Sequence, residues 1–135
     1  MFSYNWHNQE DIISVGHKFV SYYYELYDTN INLVYNFYND DAILTFENNE
    51  YIGKDNIRNK YNLLKLNKIE HKLLNINIQP VYINSIHTKI MINCVGQMRE
   101  NQGFNNYKIY NYIETFILNQ CNNNWCVQNH IFNIF

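Results

Sequence analysis

Leu64 and Ile69 divide this chain into two hydrophobic rhythms, and that change of period limits the folds open to it. In residues 11–27 the apolar side chains Ile12, Val15, Phe19, Val20, Tyr23, Leu26 and Tyr27 recur at three-and-four spacing, which predicts one buried helix face. Asp28, Thr29 and Asn30 stop that helix, and Leu33, Val34, Phe37 and Tyr38 predict a second, shorter one over residues 31–39. Residues 42–47 favour a strand through Ile43, Leu44 and Phe46. Asn48 and Asn49 then make a turn into Glu50, Tyr51 and Ile52, so a hairpin is expected. A third helix over residues 53–64 follows from Ile57, Tyr61 and Leu64, with Asp55 near its positive end. Beyond Ile69 the pattern becomes that of long strands, over residues 69–80, 86–98, 108–119 and 125–134, broken by Asn, Gly and Gln turns. Helices first and strands last predict an α+β domain in which three N-terminal helices pack into a strongly curved antiparallel sheet. Pro80 is expected at a strand edge, and the run Asn122, Asn123 and Asn124 in a turn.

At 135 residues the chain suits a single domain over 1–135, able to bury one core without disulfides or metal, with residues 1–10 leading into the first helix. The net charge of -2 and the absence of a basic run argue against nucleic acid or a membrane surface as partner. Cys94, Cys121 and Cys126 show no Cys-x-x-Cys spacing and are expected as reduced thiols, Cys126 within the core. His7, His17, His87 and His130 show no metal-ligand spacing, and four glycines form no phosphate loop, so neither metal nor cofactor is predicted. No secretory signal or membrane-spanning run is visible. With 13 Tyr and 8 Phe, the chain has many flat, partly polar side chains suited to protein contact.

Several short motifs occur in a characteristic order. They are Val15-Gly16 with Phe19, the run from Tyr22 to Asp28, Leu44-Thr45-Phe46-Glu47, Gly53-Lys54, Asn67-Lys68-Ile69-Glu70-His71, Gln79-Pro80, Val95-Gly96-Gln97, Phe116-Ile117-Leu118, Trp125-Cys126-Val127-Gln128-Asn129 and Ile131-Phe132. In order and spacing this set resembles the nuclear transport factor 2 family, from Asp11 to the C-terminus. The resemblance implies a cone with a hydrophobic opening, a homodimer joined through its sheet faces, and passage between cytoplasm and nucleus through the nuclear pore. The implied partners are the GDP form of the GTPase Ran and Phe-x-Phe-Gly repeats of nucleoporins. At the positions matching the opening stand Phe46, Leu64, Ile69, Ile131, Phe132 and Ile134, all apolar, with His71 at the Ile-x-His junction. Glu47 occupies the position of the rim acid that pairs with a Ran arginine. After Gln97 the family's acidic loop is reduced to Glu100, and the loop over residues 99–111 reads as longer, with Phe104, Tyr107, Lys108 and Tyr110. His130 replaces an acid, and Ile12 replaces the tryptophan of the repeat site. Trp6 is the nearest alternative aromatic, so no residues are assigned to nucleoporin binding.

Two further readings share the fold. One is a small cofactor that forms a heterodimer with a messenger-RNA export receptor, for which the altered loop after Gln97 is suitable. The other is an isomerase or dehydratase, whose candidates here are Tyr23, Asp28, His71 and His130. A single His at a helix-to-strand junction and an Asp closing a helix are expected as structural groups, so the chain is read as non-catalytic.

Overall fold

A computed structural model of the chain describes residues 9–84 and 88–135, so the expectations for Trp6, His7, Ile86 and His87 lie outside the described residues. Helix α1 (Gln9–Thr29) is followed by a 3-10 helix (Ile31–Phe37), strands β1 (Tyr38–Phe46) and β2 (Asn49–Ile52), helix α2 (Lys54–Leu64), and strands β3 (Ile69–Tyr82), β4 (Thr88–Asn101), β5 (Tyr107–Cys121) and β6 (Asn124–Ile134). The six strands form one open, curled sheet in the order β2-β1-β6-β5-β4-β3. All neighbours run antiparallel except β1 and β6, because the last strand inserts between the first strand and β5.

Helix α1 lies against the inner face of the sheet. Ile12, Val15, Phe19, Val20, Tyr23 and Tyr27 are buried, and Leu26 packs at the margin. Along β4 and β5 burial alternates, so Ile90, Ile92, Cys94 and Met98 face Tyr112, Glu114, Phe116 and Leu118 across the inner layer. Gly96 is needed in this layer. A Cβ there would stand 2.6 Å from the Tyr112 hydroxyl and 2.5 Å from the Lys72 carbonyl oxygen. Pro80 lies in β3, the sheet's outer strand, where its missing N–H costs no ladder bond on the open side.

Local differences from the sequence expectations have physical causes. The second helix ends at Phe37 because Tyr38 must enter the core, where it is 1% exposed. The polar start of β1 is held to β6 by side chains: Asn39 Nδ2 donates to Gln128 Oε1 at 2.7 Å, and Gln128 Nε2 to Asp41 Oδ1 at 3.2 Å. The β1–β2 turn is Glu47-Asn48, with φ of 53° and 75°, one residue earlier than expected. Two successive positive φ values are what a tight two-residue hairpin requires. The long loop expected over 99–111 is mostly strand, since the pairs Arg99↔Ile109, Glu100↔Lys108 and Asn101↔Tyr107 extend the β4–β5 ladder and leave residues 102–106 as the tip.

The expectation of reduced thiols is corrected at two of the three cysteines. Cys121 and Cys126 form a disulfide across the Asn122-Asn123 turn, and neither is in the core. Cys121 pairs with Asn124 and Cys126 with Asn119, so the two are diagonal neighbours with Cα atoms 6.1 Å apart, within bonding reach. Cys94 is free and buried, and burial pushes its thiol up to about 12.

Candidate partner-binding site

The end of the fold formed by the β1–β2 turn, the C-terminal part of α2 and the end of β6 carries an aromatic wall. Phe46 stacks on Phe132 with ring centres 4.5 Å apart, and Phe132 stacks on Tyr112 at 5.7 Å. Alternation along β6 turns Phe132 inward, with Ile134 following it on the same side at half burial. Glu47 is fastened to this wall twice. Its N–H donates to the Phe132 carbonyl at 3.0 Å, and its Oε1 accepts from the Ile134 N–H at 2.5 Å. A carboxylate has two oxygens and several lone-pair directions, so one backbone bond aims the group without exhausting it.

Leu64 ends α2, half-buried, and Ile69 opens β3, nearly buried. Ile69 borders a cavity of about 400 Å³ lined also by Tyr27, Ile31, Lys65 and Lys68. Glu100 pairs with Ile69 across the β3–β4 ladder and accepts from Gln102 Nε2 at 3.2 Å. Ile131 is placed elsewhere. It is 50% exposed on the outer face of the sheet, because neighbouring residues of a strand point to opposite sides, so the structure does not bring it to Phe132's wall.

The acid–base candidates form two separate groups. Asp28 holds His71 with both oxygens: Oδ1 lies 2.7 Å from Nδ1, and Oδ2 accepts the His71 backbone N–H at 3.0 Å. Tyr24, Tyr27 and Tyr112 surround the His71 ring. Asp28 therefore ties the end of α1 to β3 rather than merely closing a turn. Tyr23 and His130 belong to a buried chain whose other members the sequence reading missed. The Tyr23 and Tyr61 hydroxyls are 3.0 Å apart, those of Tyr61 and Tyr38 2.5 Å, and Tyr38 reaches His130 Nδ1 at 2.7 Å. His130 Nε2 lies 2.6 Å from Glu114 Oε1, and the Tyr24 hydroxyl donates to Glu114 Oε2 at 2.6 Å. The signal for this chain was a charged residue, Glu114, at an inward position between Tyr112 and Phe116.

Burial lifts the phenols of Tyr23, Tyr27 and Tyr38 well above the ordinary value of 10.0, and the charge of Tyr61 adds to the effect. Tyr24 rises through burial and then through Glu114. Tyr61 rises through burial although its bonds to Tyr23 and Tyr38 oppose the shift. Among the described residues no group of three or more His, Cys, Asp and Glu is arranged to hold a metal ion, and no helix is long and apolar enough to cross a membrane.

Residues 15–134 match the model of the nuclear transport factor 2 (NTF2) domain. The chain belongs to this family. Nuclear transport factor 2 of Candida albicans is 26% identical over 124 residues, covering 92% of this chain and 95% of that protein. The protein of the same name from Davidiella tassiana is 30% identical over 70 residues, 52% of this chain, and the match spans 56% of its length. Among solved structures, nuclear transport factor 2 from Cryptosporidium parvum superposes with a TM-score of 0.81 at 23% identity, over 95% of this chain and 98% of that one. Yeast UBP3-associated protein BRE5 superposes at 0.76 with 26% identity, over 93% and 95%. The nuclear transport factor 2 fold, three helices on a curled six-stranded sheet, is thus shared over nearly the whole chain.

Proposed function

We propose that this nuclear transport factor 2 family member is a non-catalytic carrier that binds the GDP form of Ran and moves with it between cytoplasm and nucleus through the nuclear pore. The observation that carries the reading is the fastening of Glu47 beside the Phe46–Phe132–Tyr112 wall. Phe46 is the partly exposed end of this stack, with Phe132 and Tyr112 buried behind it, and it suits contact with an aromatic side chain, while a carboxylate aimed by a backbone N–H suits a guanidinium. Phe46, Leu64, Ile69, Phe132 and Ile134 supply the apolar contact, Glu47 the main charge and Glu100 a second acid, while His71, clamped by Asp28, positions the start of β3. Nucleotide selectivity is then differential binding to one arrangement of Ran's switch region.

The outer sheet face, which carries Met91, Val95, Ile113, Ile117 and Ile131, is the surface through which two copies pair, giving two cargo sites per homodimer. Ile131 contributes there rather than at the opening. Weak contact with nucleoporin Phe-x-Phe-Gly repeats accompanies transport, through residues not assigned on this chain. Against catalysis stands the burial of the polar chain, since Tyr23, Tyr38, Tyr61, Glu114 and His130 are each 2% exposed or less and a substrate would have to displace the core to reach them. The likeness to BRE5, which forms a cofactor complex with the deubiquitinase Ubp3, favours one alternative, a cofactor for a protein partner.

Titration against Ran loaded with GDP, and separately with a non-hydrolysable GTP analogue, tests the proposal. Binding confined to the GDP form is expected. Absence of binding to both forms would reject the carrier and favour the cofactor reading.

A further inference from the structure

On α2 the core-facing stripe is Ile57, Lys60, Tyr61 and Leu64, at three-and-four spacing. Ile57 and Tyr61 are buried, yet the position between Ile57 and Leu64 is given to a lysine rather than an apolar residue. Lys60 is only partly exposed. Its ammonium stands 4.5 Å from the centre of the Phe46 ring and 5.5 Å from that of Tyr51, so two aromatic faces hold it at the outer end of the Phe46–Phe132–Tyr112 wall. Neighbouring cations show the same habit: Lys54 and Arg58 both lie over Tyr35. Residues 54–68 hold five of the chain's ten Lys and Arg (Lys54, Arg58, Lys60, Lys65 and Lys68) against one acid, Asp55. The β1–β2 hairpin, which carries the Phe46 and Tyr51 rings beside Lys60, also holds Glu47 and Glu50 as their sequence neighbours. Charges of both signs therefore stand beside Phe46.

We infer that Lys60 is a specificity-determining residue of the partner site, pairing with a carboxylate that the partner presents close to the aromatic side chain entering the opening. The inference rests on the carrier reading and adds to it. Glu47 selects a cation on the partner and Lys60 an anion, so a partner surface of a single sign meets repulsion from one of these two charges. Holding the Lys60 ammonium beside Phe46 and Tyr51 limits its freedom before the partner arrives, which lowers the ordering cost of the pair.

The test is binding of GDP-bound Ran to the full chain and to Lys60→Met, Lys60→Arg and Lys60→Glu, each at low and at physiological salt, with thermal unfolding of every variant. Lys60→Met keeps the apolar stem and removes the charge. It is expected to weaken binding about tenfold and to flatten its salt dependence, while Lys60→Arg stays within about twofold of the wild type and Lys60→Glu weakens it further. Lys60→Met binding as tightly as the wild type or more tightly, with unchanged salt dependence, would overturn the inference while leaving the carrier reading standing. Failure of the wild type to bind would reject the carrier reading, and this inference with it. Should Lys60→Met unfold, Lys60→Glu against Lys60→Arg decides the matter, since equal affinities for these two would also overturn it.

Discussion

Glu114 and Glu47 are carboxylates of one sheet, placed in two regions that treat charge differently. Glu114, deep between Tyr112 and Phe116, has both oxygens engaged by side chains, His130 on one and Tyr24 on the other. Glu47 sits in a two-residue turn at the rim, where one oxygen takes the Ile134 N–H and the residue stays partly exposed. The interior chain of Tyr23, Tyr61, Tyr38, His130, Glu114 and Tyr24 satisfies polar groups with one another and works as packing. The rim holds Glu47 by the backbone and leaves it partly exposed, which on the proposed reading serves recognition. Side-chain types that suggest acid–base chemistry in a sequence thus serve cohesion when every partner is internal, and a charge becomes available to another protein only where the backbone holds it at an edge.

Among single substitutions the largest expected effect breaks the interior. Glu114→Ala leaves His130 and the Tyr24 hydroxyl without their buried partner and should lower unfolding free energy by about 3–5 kcal/mol, read from the denaturant midpoint. Glu114→Gln, which retains an acceptor, should lose only about 1–2 kcal/mol. Alkali loads the same interior cumulatively. The raised phenols of Tyr23, Tyr24, Tyr27, Tyr38, Tyr61 and Tyr112 stay protonated in the fold while those of the unfolded chain ionise near 10.0. Their contribution to stability is complete below pH 10 and falls above it, by about 1.4 kcal/mol per pH unit for each tyrosine. Phenolate absorbance from these residues should appear together with the loss of circular dichroism. Ionisation in an intact fold would show that the interior is open to solvent. The smallest effect belongs to the rim: Glu47→Gln keeps an acceptor for Ile134 and should cost less than about 1 kcal/mol of stability.

Much of the scaffold was legible in the hydrophobic rhythm. Six of the seven residues of the predicted α1 stripe are buried, and the change of period between Leu64 and Ile69 marks the passage from α2 to β3. Element ends were less legible where side chains, not propensity, decide them. Tyr38 begins β1 because its hydroxyl is needed beside Tyr61 and His130, a requirement visible only in three dimensions. Period two along β6 already separates Ile131 from Phe132, but the family resemblance grouped them, and the strand geometry divides them. The Glu114–His130 pairing spans neighbouring strands, so no local pattern announces it. The disulfide depends on a diagonal register across the Asn122-Asn123 turn that spacing alone does not display. Nothing in the α2 pattern marks Lys60, because its place over Phe46 depends on how the helix packs on the β1–β2 hairpin.

The most direct test of recognition at the rim is a titration of GDP-bound Ran with the wild-type protein, Glu47→Gln and Glu47→Lys side by side, with folding monitored in each. Selective wild-type binding, a loss of about tenfold or more in Glu47→Gln and no detectable binding by a folded Glu47→Lys are predicted. Wild-type affinity in a folded Glu47→Lys variant would contradict the account, because the one carboxylate that the backbone aims beside the aromatic wall would then have no part in binding.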